Sequence, residues 1–243
     1  MNRTKIEWTD YTWNPVTGCS GPQGNGVRCR YCYAQKLAKG RLRKLYLSQP
    51  HTLGCGDPQD PFTPRWWPDR LREPMEEHHP ASKIFVCDMG DLFGICVPDD
   101  AIEMILSLCL QCPNDIFQFL TKRPERLADF NPWPDNCWVG ATATDQKMFD
   151  KAIRALYDVD ARIRFLSCEP LLGRITFGAF LPNPFDWIIV GALTRSSGGP
   201  CSYKITESTE ILLDRARNAA IPIFVKNNVP WTGKRPQEWP KRR

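Results

Sequence analysis

Six short apolar runs recur along the chain, rich in β-branched and aromatic residues and with little alternation between polar and apolar positions. They lie at residues 83–88, 116–122, 137–142, 163–168, 186–191 and 221–226. Such runs are typical of strands that are buried on both faces, as in a parallel sheet. A seventh strand is predicted within residues 11–18, just before the first cysteine.

Helical patterns separate several of these strands. Apolar residues recur at helical spacing in residues 98–112, 145–159 and 205–220, and helix-forming residues also occupy 34–47. Repeated βα units predict an α/β fold, and six or seven units favour a partial or full (β/α) barrel, with a doubly wound sheet as the alternative. We expect a single domain over residues 1–243, with a long Pro-rich insertion at about 48–82 and one short helix near 67–73.

Composition and charge narrow the class of protein. The chain has 243 residues, of which 42% are hydrophobic and 24% charged, and it contains no apolar run long enough to cross a membrane. The first ten residues lack the apolar core of a signal peptide, so we expect a cytoplasmic protein with no membrane partner. The net charge of +5 permits a nucleic-acid partner without requiring one.

Eleven cysteines are many for a cytoplasmic chain. In a reducing compartment, clustered cysteines indicate metal binding or catalysis, and disulfides are not expected. Five of the cysteines lie in or beside apolar segments, where free Cys packs as a small apolar residue. These five are Cys87, Cys96, Cys109, Cys112 and Cys137.

Three further cysteines, Cys19, Cys29 and Cys32, share one Gly-rich segment at residues 18–36. The C-x2-C spacing of Cys29 and Cys32 fits a structural zinc site with Cys19 as third ligand and a fourth ligand at no standard spacing. The candidates for that fourth ligand are Cys55, His51, His78 and His79. The alternative is an iron–sulfur cluster on three thiolates, which leaves one iron open to a substrate or cofactor.

The sequence "CRYCYA" resembles the second half of the radical S-adenosylmethionine motif, in which three cysteines follow the first barrel strand. An aromatic residue precedes the last cysteine of that motif, as Tyr31 precedes Cys32 here. The blocks "WNPVTGCS", "CDMGDLF", "FLTKRPERL", "WVGAT", "FLSCEPLLG", "DWIIVG" and "PIFVK" are similar to those of an uncharacterised, often phage-encoded, radical-SAM-like family. One departure is that nine residues, not three, separate Cys19 from Cys29, although the Gly-rich insert is flexible enough to bring the two together.

The resemblance implies a 4Fe–4S cluster on Cys19, Cys29 and Cys32 whose open iron binds S-adenosylmethionine. Electron transfer would then cleave a carbon–sulfur bond and give a 5′-deoxyadenosyl radical, which takes a hydrogen atom from the substrate. An electron donor such as flavodoxin or ferredoxin is the implied partner. The reaction type does not follow from the sequence.

Polar residues follow every predicted strand, where a β/α barrel has its active face. By resemblance, Asp88 and Asp91 would bind the methionyl amine, Lys122 or Arg123 the carboxylate, and Thr142, Thr144 or Asp145 the ribose. The loop after Gly191 would let backbone approach the adenine or the substrate. Each of these roles has a structural alternative. Asp88 could serve to cap a helix, "KRPER" could be the solvent-exposed start of a helix, and the loop after Gly191 could be only a mobile connection.

Cys168 and Glu169 end the fourth predicted strand and are the candidates for catalysis. Cys168 could donate a hydrogen atom to a product radical, or it could be a buried structural thiol. Glu169 could act as an acid, a base or a hydrogen-bond acceptor. A carboxylate at such a position is seldom without a partner, so we expect one for Glu169.

A nucleobase or nucleotide substrate is suggested by the positive charge and by tryptophans among Pro and Arg, which could stack on bases. These are Trp66, Trp67, Trp231 and Trp239. The basic runs at residues 39–44 and 240–243 are usually solvated faces or tails. The alternative function is a zinc-stabilised or metal-free barrel that binds nucleic acid or a protein partner without catalysis.

Overall fold

All six predicted strands, and part of the seventh, are present in the structure, a computed structural model that describes residues 1–76, 81–177, 183–194 and 204–241. The strands of the described part are β1 (Asn2–Arg3), β2 (Tyr11–Trp13), β3 (Val16–Thr17), β4 (Arg65–Trp66), β5 (Lys83–Val86), β6 (Ile116–Thr121), β7 (Cys137–Thr142), β8 (Ile163–Cys168), β9 (Trp187–Val190) and β10 (Ile223–Val225). Its helices are α1 (Tyr33–Lys39), α2 (Arg43–Ser48), α3 (Glu73–Glu76), α4 (Asp99–Leu110), α5 (Gln146–Tyr157) and α6 (Lys204–Asn218). Short 3-10 helices cover Pro68–Arg70 and Pro124–Phe130.

The first of two compact units comprises residues 1–126 and 134–137. Its main strands lie in the order β1, β2, β5, β6. The β1–β2 pair is antiparallel, whereas β2 pairs with β5 and β5 with β6 in parallel. A second, antiparallel pair joins β3 to β4. This unit contains all three cysteines of the N-terminal segment.

The second unit comprises residues 127–133 and 138–243. Its strands lie in the order β7, β8, β9, β10, and all three pairings are parallel. Every residue of β7 and β9 is buried, as expected of strands covered on both faces. The chain is therefore a mixed α/β protein with mostly parallel strands.

Helix patterns explain how the connections pack. In α5, Asp145 caps the first turn by accepting a hydrogen bond from the N–H of Met148 over 2.9 Å. Buried residues then recur at helical spacing along α4 and α5. They are Ala101, Ile102, Ile105, Leu106 and Cys109 in α4, and Phe149, Ala152, Ile153 and Leu156 in α5.

Two expectations about the connections are corrected. The helical pattern at 34–47 is two helices, because Gly40 ends α1 by donating its N–H to the carbonyls of Lys36 and Leu37. The insertion at 48–82 contains β4, a 3-10 helix and α3, which pack it onto the first unit.

The prediction that disulfides are absent is wrong at one place. Cys55 and Cys96 form a disulfide, with their Cα atoms 5.8 Å apart, because the insertion runs back along the loop after β5. Cys87, Cys109, Cys112 and Cys137 are free and buried, as predicted.

None of the helices in the part of the chain that the structure describes is long and apolar enough to span a membrane.

Candidate functional site

The N-terminal cysteines occupy two neighbouring segments of the first unit. Cys19 follows β3, and its backbone N–H donates to the carbonyl of Phe62 over 3.0 Å. Cys32 is the N-cap of α1, and its Sγ accepts a hydrogen bond from the N–H of Gln35 over 3.3 Å. Cys29 lies one turn earlier, where its carbonyl accepts the N–H of Cys32 over 3.1 Å. All three thiols are free and partly exposed.

The nine-residue insert between Cys19 and Cys29 folds back on itself. The N–H of Gly26 donates to the carbonyl of Ser20 over 2.8 Å, closing the loop near its base. Gly21 has a φ of +87°, and a Cβ there would lie 2.1 Å from the carbonyl oxygen of Val27. Only glycine allows this close approach, so the two ends of the insert lie near each other.

Arg28 fastens this loop to the insertion at 48–82. Its Nε donates to the carbonyl oxygen of Cys19 over 2.8 Å, and its Nη1 pairs with Asp60. The guanidinium also lies over the ring of Phe62, 5.2 Å from the ring centroid. Asp60 in turn accepts the N–H of Phe62 over 3.0 Å. Arg28, Asp60, Phe62 and Cys19 therefore form one closed set of contacts.

The thiols of Cys19 and Cys32 sit in apolar surroundings. Both pack against a buried cluster made of Ala34, Ala38, Tyr46, Phe62, Trp67 and Met89. Burial, helped by the negative charge of Asp91, raises the pKa of Cys19 to about 12. Burial also raises the pKa of Cys32, while the N–H of Gln35 and the charge of Lys122 oppose the shift. Without a bound cation, both thiols stay protonated near neutral pH.

Glycine contacts bring the loop after β5 to the first cysteine. Gly18 and Gly90 form a backbone bridge, and a Cβ on Gly90 would lie 2.7 Å from the carbonyl oxygen of Gly18. Three residues before Gly90, Cys87 has a φ of 60° that is uncommon for a residue other than glycine. Strained backbone of this kind concentrates at functional sites.

Asp88 lies after β5, where its carboxylate has three polar neighbours. Oδ1 accepts a hydrogen bond from Nδ2 of Asn14 over 2.7 Å. The hydroxyl of Tyr33, next to Cys32, donates to the Asp88 carbonyl over 2.7 Å. Burial raises the pKa of Asp88, and hydrogen bonds from Asn14, Thr12 and Tyr33 oppose the shift. Asp88 as a whole is partly buried, in contrast to the buried residues of β5 before it.

Asp91, in contrast, is buried and bound by its own chain. Its Oδ1 accepts from the hydroxyl of Thr121 over 2.7 Å and from the N–H of Phe93 over 3.1 Å. Its Oδ2 accepts from the N–H of Lys122 over 3.2 Å. Asp91 thus ties the end of β5 to the end of β6, which positions Lys122.

Lys122 and Arg123, at the end of β6, face different partners. The positive charge of Lys122 works against the burial that raises the pKa of Cys19 and Cys32. Arg123 instead pairs with Glu125 at 3.3 Å and reaches the carbonyl of Pro22 in the insert over 3.5 Å. Arg123 therefore supports the cysteine loop.

Two of the four candidates for a fourth zinc ligand are engaged elsewhere. Cys55 is in the disulfide, and Nε2 of His51 lies 2.9 Å from the carbonyl oxygen of Cys55. His78 and His79 lie outside the described residues. Among the residues that are described, no group of three or more His, Cys, Asp or Glu side chains is arranged to hold a metal ion.

In the second unit, Glu169 has the partner that we expected. Its Oε1 forms an ion pair with Nζ of Lys226, and both side chains are mostly buried. Gly191 leaves room for this pair, because a Cβ there would lie 2.9 Å from Cγ of Glu169. Asn228 binds both backbone polar groups of Ala192, at 3.1 and 2.8 Å. These residues follow β8, β9 and β10 and form a polar cluster at the strand ends.

The remaining predicted residues of this unit are buried, except Asp145, which is partly buried. Cys168 is fully buried, which raises its pKa to about 12 and keeps it as a thiol. Thr142 is buried, and the hydroxyl of Thr144 contacts the sulfur of Met148 at 3.2 Å. One carboxylate oxygen of Asp145 caps α5. In the loop after Gly191, residues 195–203 lie outside the described part of the chain.

The tryptophans that seemed available for base stacking are mostly packed. Trp67 is buried, its Nε1 donates to Thr17 over 2.8 Å, and Arg70 lies 3.7 Å from its ring centroid. Trp239 stacks on Trp187 at 5.0 Å. Trp66 and Trp231 are partly buried. The interpretation of these rings as a stacking surface is therefore wrong for Trp67 and Trp239.

Sequence reasoning missed Asn14, Arg28, Tyr33, Asp60 and Thr121. Asn14 and Tyr33 are inside motif blocks, and a polar residue within the strand predicted at 11–18 was the available signal for Asn14. The Arg28–Asp60 pair joins positions 32 residues apart in sequence, which no local pattern reveals.

Comparison with known proteins gives a match over nearly the whole chain. A family described as "Protein of unknown function (DUF5131)" matches residues 3–242. No curated protein and no solved structure matches the chain.

Proposed function

The chain belongs to the DUF5131 family, and from the residues of its first unit we propose that it is a radical S-adenosylmethionine enzyme. In this proposal Cys19, Cys29 and Cys32 hold a 4Fe–4S cluster.

One observation carries the proposal: Cys19 and Cys32 lie against the same buried cluster, with the charge of Lys122 acting on both. The insert between Cys19 and Cys29 is closed by the hydrogen bond from Gly26 to Ser20, which favours a shared site despite the long spacing. A protein that needed these cysteines only for packing would not need the Arg28 fastening or a lysine beside two thiols.

The chemistry of the three donors fits an iron–sulfur cluster, although among the described residues their side chains are not already gathered as metal ligands. Three free thiols, partly exposed and backed by apolar side chains, are the ligands such clusters take, each on a separate iron. When bound, the cluster would supply the electron that cleaves S-adenosylmethionine into methionine and a 5′-deoxyadenosyl radical.

The residues around the thiols have defined tasks in this proposal. Lys122 offsets the negative charge of the thiolates, because its positive charge opposes the burial that raises the pKa of Cys19 and Cys32. Asp88, oriented by Asn14 and Tyr33, accepts hydrogen bonds from the methionyl amine. Asp91 positions Lys122 through its backbone N–H. Arg123 holds the insert, so Lys122 is the better candidate for the methionyl carboxylate.

The second unit offers groups for the substrate. Glu169 could exchange a proton with Lys226, its ion-pair partner, and so act as an acid or a base. Cys168 keeps its hydrogen at neutral pH and is therefore a possible hydrogen-atom donor. Thr142, Thr144, Asp145 and Gly191 stay proposed contacts to the ribose and adenine.

The proposal also covers the fold, the electron donor and the target of the radical. The parallel pairings within each unit support a partial or full β/α barrel. A reducing cytoplasm would supply the electron through a flavodoxin- or ferredoxin-like donor. A nucleobase or nucleotide is the proposed target of the radical.

The test is anaerobic reconstitution with iron and sulfide, reduction with dithionite, addition of S-adenosylmethionine and chromatography for 5′-deoxyadenosine. The wild type should retain iron and acid-labile sulfide in equal amounts and form 5′-deoxyadenosine. Cys32→Ala should lose both. The matched control is Cys112→Ala, since Cys112 is a free, buried cysteine outside the site and its replacement should change neither result.

Protein that binds zinc and no iron, with no cleavage, would replace this proposal with the non-catalytic, zinc-stabilised alternative. Equal loss of iron in Cys32→Ala and Cys112→Ala would show that the readout reports folding and would remove the assignment of the three cysteines.

A further inference from the structure

The surface next to the candidate cluster site carries an unusual concentration of one charge. Residues 11–56 contain seven Lys and Arg and no Asp or Glu, so this segment alone carries +7, against +5 for the whole chain. Arg28 is used within the site. The other six cations, which we call the basic face, are Arg30, Lys36, Lys39, Arg41, Arg43 and Lys44, and all six are exposed.

The basic face is continuous with the cysteines. Arg30 lies between Cys29 and Cys32, and the face extends along α1, the Gly40 turn and the start of α2. Lys36 and Lys39 project from the side of α1 opposite to the buried Ala34 and Ala38. In the described part of the chain, none of the six forms an ion pair.

Local stability accounts for only part of this pattern. Lys36 and Lys39 lie in the last turn of α1, where the helix dipole favours positive charge, and the charge of Lys39 also acts on Asp60. Arg43 and Lys44 instead occupy the first turn of α2, where the helix dipole disfavours positive charge and acidic residues are usual. The positive charges at the start of α2 therefore have no stabilising role in their own helix, and a partner would explain them.

The composition of the face indicates the kind of partner. The cores of protein–protein interfaces are depleted in charged residues and in Lys, whereas protein–nucleic acid interfaces are much more positive. The half-exposed ring of Tyr33 lies among these cations and offers a surface for base stacking. We infer that the basic face binds the phosphate backbone of a nucleic acid and so brings a nucleotide to the cysteine site. Binding stands on the basic face alone, whereas delivery to the cysteine site rests on the proposed function.

The test is fluorescence anisotropy with labelled single-stranded DNA, single-stranded RNA and duplex DNA, each about 20 nucleotides long to exceed common single-strand site sizes. The patch variant is Arg41→Gln/Arg43→Gln/Lys44→Gln. The matched control is Lys147→Gln/Arg154→Gln/Arg217→Gln, which removes the same charge from exposed positions of α5 and α6.

Wild-type protein should bind at least one of the three probes, and the patch variant should bind it about tenfold or more weakly. The slope of log affinity against log salt should fall by about 2 to 3 in the patch variant. The control variant should stay within about twofold of wild type, because its charges lie elsewhere. Circular dichroism melting of both variants verifies their folding.

If the patch variant and the control variant lose the same binding affinity, the effect depends only on net charge, and the inference is overturned. Absence of binding to all three probes would overturn it as well, and patch-dependent retention of an acidic flavodoxin would then assign the face to a protein donor. The binding assay needs no iron, so it is run on wild-type protein before reconstitution. A failure of 5′-deoxyadenosine formation with intact binding therefore counts against the proposed function alone.

Discussion

The guanidinium of Arg28 donates a hydrogen bond to the carbonyl oxygen of Cys19 over 2.8 Å, although the two residues stand at opposite ends of the insert. Arg28 directly precedes Cys29, so one side chain links the first cysteine to the second. The long spacing is therefore compatible with three thiols in one place.

Arg28→Gln should destabilise the first unit and lower its iron content. The lost ion pair with Asp60 and the lost hydrogen bond to Cys19 are mostly shielded from water, with side chains 14% and 22% exposed, so we expect a cost of about 1–2 kcal/mol. Urea unfolding and iron analysis after reconstitution measure the two effects.

The matched control for Arg28 is Arg72→Gln. Arg72 pairs with Glu76, but both side chains are about 70% exposed. Its replacement should leave iron content unchanged. An Arg28→Gln protein that loads iron as the wild type does would contradict the positioning role.

Asp60 gives the same contact a pH dependence. Burial works against its ionisation, but the N–H of Phe62 and the Arg28 guanidinium outweigh it and lower the pKa of Asp60 below the ordinary 3.8. The carboxylate therefore adds stability that is complete above about pH 5 and is lost as the pH falls through the lower, folded-state pKa. The difference in unfolding free energy between wild type and Asp60→Asn should shrink below pH 3.8. A difference that stays constant down to about pH 2 would contradict this account.

Gly21→Ala should open the insert. The new Cβ would meet the carbonyl oxygen of Val27 at 2.1 Å, so the backbone must shift. Gly26→Ala is the control, since Gly26 also has a positive φ but a Cβ there meets nothing within 4 Å. Both variants carry the strain of about 1 kcal/mol for a left-handed alanine, and Gly21→Ala should cost about 2 kcal/mol more. Iron should fall only in Gly21→Ala, and equal iron in both would disprove the need for closure.

Replacing Asp88 or Asp91 by Asn should have different effects on stability and on 5′-deoxyadenosine formation. Asp91→Asn places an amide nitrogen among N–H donors and should destabilise by about 1–3 kcal/mol. Asp88→Asn keeps an acceptor for Asn14 and should change stability by less than about 1 kcal/mol, while 5′-deoxyadenosine formation falls at least about tenfold. Unfolding curves and the cleavage assay, run on both variants, distinguish them. Full activity in Asp88→Asn would remove it from the proposed binding site.

The Glu169–Lys226 pair can be measured by a double-mutant cycle. Lys226→Met leaves a partly buried carboxylate without its partner and should cost about 1–3 kcal/mol. Adding Glu169→Gln should recover part of that loss, because the stranded charge is removed. Strictly additive effects would mean that the two side chains do not interact in solution.

Local patterns were enough to locate the six strands β5 to β10. Runs such as 83–88 and 163–168 are apolar and β-branched without alternation, and both contain buried parallel strands. The same reasoning read residues 34–47 as one helix, because apolar spacing continued past Gly40, whose hydrogen bonds end α1.

Site residues were predictable only where sequence position fixes location. Cys19, Asp88 and Lys122 follow strands directly, so the sequence predicted their positions at strand ends. Arg28 and Asp60 meet through a fold of the chain that has no periodicity, and were missed. The burial of Trp67 was missed for a similar reason, since β4 pairs with β3 across 50 residues. Contacts between distant segments determine the Arg28–Asp60 pair and the burial of Trp67, and such contacts cannot be predicted from composition or local pattern.

The most direct test of the central claim is electron paramagnetic resonance of the reconstituted, reduced protein, recorded with and without S-adenosylmethionine. The account predicts a signal from a reduced iron–sulfur cluster that changes when S-adenosylmethionine is added and that is absent in Cys19→Ala, Cys29→Ala and Cys32→Ala. A cluster signal that persists in all three variants, or that S-adenosylmethionine leaves unchanged, would contradict it.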